Sequence, residues 1–94
     1  MLSVRSQEAV AAHYGLTVAK LTSSNREQKV ALPRQVAMYL CRELAQEKLQ
    51  LIAEKFNKKD HTTVISAVER VKSLMETDEA VRTAVRTLTS ALVP

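Results

Sequence analysis

The chain has 94 residues, 46% of them hydrophobic and 3% aromatic, with one glycine, two prolines and a formal net charge of +4. That length holds one domain with a modest core, and that apolar content excludes a disordered tail. So few chain breakers suit helices joined by short connections and argue against a sheet with many tight turns, while the scarcity of aromatics requires a core of Leu, Val, Ile, Ala and Met.

Taken in chain order, the first helix is predicted to start near Ser3 or Ser6 and to stop at Tyr14, because Gly15 supplies the left-handed position that ends helices. Thr17 can cap a short helix over 18–21. The polar segment 22–29 reads as a loop, and Pro33 suits the first turn of the next helix, predicted over 33–46. Within it Val36, Leu40, Cys41 and Leu44 share one face. Leu49, Ile52, Ala53 and Phe56 then form the single apolar stripe of a helix barely two turns long. Asn57 is a credible left-handed stop, with Lys58 and Lys59 behind it, and Asp60 is a good N-cap for a longer helix over 60–75 whose inner face is Val64, Val68, Val71 and Met75. Asp78 can cap a last helix, predicted over 78–92, with the stripe Val81, Ala84, Val85, Leu88 and Leu92. The prediction is an all-α helical bundle forming a single domain over 1–94, with its core over about 5–75.

The charge is unevenly spread. Residues 20–72 hold eleven basic and six acidic side chains, whereas residues 76–94 hold two basic and three acidic ones. A central basic excess is the asymmetry expected of a protein that meets a polyanion. Cys41 is the lone cysteine, so no internal disulfide forms; its apolar run predicts a buried thiol and suits a reducing compartment. No stretch approaches a membrane span, and residues 1–16 are charged and lack a signal-peptide core, so a cytoplasmic protein without membrane contact is expected.

A short helix, a turn of about four residues and a longer helix form the helix-turn-helix pattern. The second helix opens with Asp60, His61, Thr62 and Thr63, four polar side chains at the end that such motifs insert into a major groove. Thr and His can donate to base edges, a Thr methyl can pack on thymine C5, and Asp can accept from cytosine N4. Nothing in the sequence supports an enzyme. His13 and His61 are far apart, and neither has a partner at metal-ligand spacing. No residue lies in a nucleophile motif, and one glycine cannot make a phosphate loop. A helical protein-interaction bundle is the alternative, with Leu51 off the main stripe as a small exposed contact.

Longer motifs sharpen this expectation. Asp60-His61-Thr62-Thr63-Val64 is similar to the signature of the C-terminal DNA-binding domain (domain IV) of the bacterial chromosomal replication initiator family DnaA. The run from Pro33-Arg34-Gln35 through Arg42-Glu43-Leu44, the pattern Leu49-x-x-Ile52-x-x-x-Phe56, and the segment Val10-Ala11-Ala12-His13-Tyr14 with Leu16 resemble the same family, in order, over about residues 5–75. The resemblance implies a Trp-repressor-like helical domain that binds DnaA boxes, short duplex sites close to TTATCCACA, at a replication origin. Matched residue by residue, Arg26 falls on a loop arginine that enters the minor groove. Asp60, His61, Thr62 and Thr63 fall on major-groove readers and nearby backbone contacts, and Arg34 and Gln35 on positions that hold phosphates. Lys58, Lys59 and Arg70 are further candidates for phosphate contacts. The chain departs from the family's usual pattern at Gln50, a common proline, at Ala53, usually glycine, and at Glu27 and Gln28, where it is often more basic. Asn57-Lys58-Lys59 also stands where a glycine-rich turn ending in arginine is usual. No cofactor or metal is expected in this domain, and ATP is expected only for the ATPase domain of a full-length initiator. The isolated domain is expected to be a monomer.

Overall fold

Three residues with positive φ divide the described chain: Gly15 at 69°, Gln46 at 53° and Asn57 at 59°. The computed structural model describes residues 2–93; Met1 and Pro94, the ends of the predicted 1–94 domain, lie outside the described residues. Among the described residues six helices follow one another: α1 Leu2–Tyr14, α2 Val18–Leu21, α3 Gln28–Glu43, α4 Leu49–Lys55, α5 Thr62–Thr77 and α6 Glu79–Leu92. No strand occurs among the described residues. Central α3 packs on α5 and α1, with α6 against α1 and α5, and α4 against α3 and α5.

The helix ends follow the chemistry of their residues. At Gly15 the Leu16 N–H reaches the Ala11 carbonyl at 2.7 Å and the Gly15 N–H the Ala12 carbonyl at 3.3 Å, the paired bonds of a left-handed helix stop. Asn57 repeats this at the end of α4, where the Lys58 N–H bonds the Ala53 carbonyl at 2.8 Å and the Asn57 N–H the Glu54 carbonyl at 3.1 Å. Thr17 Oγ1 accepts the Lys20 N–H at 3.1 Å. Asp78 Oδ1 accepts from Ala80 and Val81 at 2.9 and 3.3 Å.

Two boundaries differ from expectation. Pro33 is not in the first turn of its helix: α3 begins at Gln28 and carries Pro33 as an interior residue. A proline there denies a donor to the carbonyl four residues back, that of Lys29, at a cost of ~3 kcal/mol in an ordinary helix interior. Packing outweighs that local preference. The extra turn places Val30 in the core, and Pro33 itself is buried. At its other end α3 stops at Glu43, short of 46, because Gln46 turns left-handed. The predicted stripes form the core. Val36, Leu40, Cys41, Ile52, Ala53, Phe56, Val64 and Val71 are fully buried, Val68 and the α6 stripe nearly so, and Leu44, Leu49 and Met75 pack against them half-buried. Burial pushes the Cys41 thiol up to about 12, so it has little thiolate with which to react.

Candidate nucleic-acid interface

The two helices of the predicted motif are α4 and α5. Asp60 caps α5, but from one residue farther out than expected. The helix opens at Thr62 after His61, in helical geometry itself, while Asp60 Oδ1 accepts the Thr62 N–H at 2.9 Å. That backbone hydrogen bond, with a second from the Thr62 side chain, holds the Asp60 carboxyl below its ordinary range, so it is ionised at neutral pH. His61 Nδ1 lies 3.5 Å from the same oxygen. Asp60, His61, Thr62 and Thr63 are all exposed.

The residues of α5 divide by helical spacing into a buried line of Val64, Ala67, Val68 and Val71 and an exposed crest of Thr62, Ser66, Glu69 and Ser73. A groove lies on each flank. One, of about 560 Å³, is lined by Arg26, Arg34, Gln35, Lys58, Thr63 and Arg70, with Ser24 and Ser66 at its polar edge and Ala31, Met38 and Ala67 among its apolar lining. The other, of about 320 Å³, is lined by Arg42, Glu43, Leu49, Ile65, Val68, Glu69 and Lys72 and mixes both signs of charge.

Six of the ten predicted site residues thus meet in one groove that has four cations and no carboxylate in its lining. The described ion pairs lie elsewhere: Lys29 with Glu27, Lys55 with Glu47, Lys72 with Glu43, and His61 beside Asp60. Lys58 is lowered from its ordinary value, chiefly by burial and then by Arg34 and Arg26. Cations held close without a counter-charge are what an incoming phosphate would relieve. Lys59, Asp60, His61 and Thr62 do not line this groove. Thr63 and Arg26, both grouped in sequence with the base readers, line it beside the candidate phosphate contacts.

Arg34 differs most from its sequence picture. It is not at a helix start but inside α3, and only 7% of it is exposed. Its Nε donates to the Leu21 carbonyl at 2.8 Å, while Nη2 is buried without a hydrogen-bond partner. Burial lowers its pKa. The charge is therefore anchored at one nitrogen and unsatisfied at another. Sequence reasoning missed Ser66, although its spacing of three from Thr63 and four from Arg70 puts all three on one flank. Ser24 carried no signal of its own. Among the described residues no cluster of His, Cys, Asp and Glu could hold a metal, and no described helix is long and apolar enough to cross a membrane.

Replacing Lys58 and Lys59 together by alanine is expected to weaken boxed and scrambled duplexes alike and to flatten the salt dependence by up to about two units. The melting temperature should hold or rise slightly, because Lys58 is partly desolvated by burial and is then repelled by Arg34 and Arg26. A large loss of stability would show that the lysines build the turn.

A family model described as the bacterial DnaA protein helix-turn-helix matches residues 6–71. The chain belongs to this DnaA family. It is 48% identical over 82 residues to the chromosomal replication initiator protein DnaA of Thermus thermophilus, covering 87% of this chain and 19% of that protein. To the DnaA of Latilactobacillus sakei it is 42% identical over 86 residues, covering 92% of this chain and 19% of that one. A crystal structure of a DNA replication initiation factor superposes with a TM-score of 0.82 at 30% identity, over 97% of this chain and 29% of the other. The chain thus spans about a fifth of the length of these DnaA relatives. The all-helical fold with a helix-turn-helix is that of the DnaA domain.

Proposed function

We propose that this DnaA domain binds duplex DNA sequence-specifically at DnaA boxes close to TTATCCACA and so brings an initiator to its origin. The observation that carries this is the groove beside α5, where Arg26, Arg34, Lys58 and Arg70 gather without a carboxylate in the lining, next to an exposed polar first turn. Asp60, His61, Thr62 and Thr63 meet base edges from the exposed start of α5, with Thr63 at the border of the groove. Arg26 enters the adjacent minor groove, where a narrow A·T-rich segment concentrates negative potential. Arg34, Gln35, Lys58, Lys59 and Arg70 hold phosphates. Phosphate contacts set register and base contacts set sequence. Glu69, two turns along the crest, repels phosphate and keeps the reading to the start of the helix.

No metal or cofactor takes part in this reading, and we assign ATP to the ATPase domain of a full-length initiator. The domain acts as a cytoplasmic, nucleoid-associated monomer without membrane contact. Titration against a box duplex and a scrambled duplex at two salt concentrations tests the function. Affinity for both should fall steeply with salt, at about 0.9 log units per log unit of salt for each phosphate held, and the box should bind more tightly at both concentrations. Equal affinity for the two duplexes would leave only a non-specific binder.

A further inference from the structure

Two side chains from different elements hold the end of α2. From α3, Arg34 Nε donates to the Leu21 carbonyl at 2.8 Å. From the turn after α4, Asn57 Nδ2 donates to the Thr22 carbonyl at 3.3 Å, across 35 positions of sequence. Those carbonyls lie at the root of the arm 23–27 that carries Arg26.

The arm is tied to itself. Ser23 Oγ donates to the Lys20 carbonyl at 2.6 Å and accepts the Asn25 N–H at 3.2 Å, and Asn25 Oδ1 accepts the Glu27 N–H at 2.8 Å. A segment braced in this way follows its root, so whatever fixes the end of α2 fixes Arg26. Asn57 is also the left-handed residue that ends α4 and turns the chain toward α5. Its backbone therefore aims the recognition helix, while its side chain holds the root of the arm.

We propose that Asn57 is a positioning residue that couples the arm to the recognition helix: its amide bond to Thr22 sets where Arg26 stands relative to α5, and so sets discrimination at the base pairs Arg26 reads. This rests on the DNA-reading function proposed above. The two roles of Asn57 separate in one substitution. Glycine adopts a positive φ at least as readily but has no amide to give.

The test combines Asn57→Gly, Arg26→Ala and the double variant, on box duplexes with single base pairs changed along the site. Asn57→Gly should melt close to the parent. It should lose roughly two- to tenfold discrimination, the worth of one modest hydrogen bond, at the pairs where Arg26→Ala also loses it, and none at the pairs read by α5. Added to Arg26→Ala it should cost nothing more, since the two act through one contact. If Asn57→Gly melts early, Asn57→Asp, which also tolerates the left-handed region and lacks the N–H donor, should give the same pattern. Unchanged discrimination, an equal loss at every pair, or a loss that adds to that of Arg26→Ala would overturn the coupling. A parent domain with no box preference would overturn the proposed function and this inference with it.

Discussion

Replacing Arg34 with alanine is expected to cost this domain stability when free and more than that when bound to DNA. In the free protein the loss is the charged hydrogen bond to Leu21, worth ~1.5–3 kcal/mol, partly offset because a poorly solvated charge is removed with it. In the complex the same substitution also removes a guanidinium that lines the groove, and with it the charge that would hold a phosphate there. A second charge-assisted bond of ~1.5–3 kcal/mol corresponds to roughly ten- to a hundredfold in affinity, with a salt slope flatter by about one unit. Melting curves with and without box duplex separate the two losses. Arg34→Lys should recover the slope without the stability, since an ammonium on a flexible stem lacks the planar fork that serves two acceptors at once. If Arg34→Ala lowered the melting temperature but bound DNA like the parent, the side chain would be a pin for α2 and nothing else.

Phe56→Ala should produce the largest loss of stability. Phe56 is the one phenylalanine in the chain, is fully buried, and closes α4 immediately before the left-handed Asn57. Truncating such a ring typically costs ~3–5 kcal/mol through lost burial and the cavity left behind. Domains of this size have on the order of 5–15 kcal/mol to lose. A fall in melting temperature on the order of 20 °C is expected, and with it a reduced folded fraction and weaker apparent binding to every duplex. Ile52→Val, which deletes one buried methyl from the same helix, should cost only ~0.5–1.5 kcal/mol. A Phe56→Ala melt within a few degrees of the parent would mean that the core closes without this ring.

Much of this was legible because the responsible signals are local. Glycine at 15 and asparagine at 57 are residues that tolerate positive φ, Thr17 and Asp78 are capping residues, and the apolar stripes repeat at helical spacing. Gln46 carries the same left-handed backbone with no side-chain preference to announce it. Pro33 pointed to a helix start because local chemistry favours one; the burial of Val30 one turn earlier is a tertiary fact that outweighs it. The site divides in the same way. A basic excess, a polar first turn and a family motif pointed to the candidate residues, but two features depend on contacts 13 and 35 positions apart in sequence, the bond of Arg34 to Leu21 and the reach of Asn57 to Thr22. Such contacts exist only once α2, α3 and α4 have packed.

In the proposed function the first turn of α5 reads sequence while the groove beside it grips the backbone. The most direct measurement is the ratio of box to scrambled affinity, at two salt concentrations, for the parent and for the variant with both Thr62 and Thr63 changed to alanine. Each lost base contact costs ~1–3 kcal/mol of discrimination, and neither threonine carries charge. The expected result is a ratio reduced by about tenfold or more, a salt slope equal to the parent's and an unchanged affinity for the scrambled duplex. A variant that kept the parent's full ratio would show that sequence is read elsewhere, leaving the DnaA fold in place but not the recognition assigned to it.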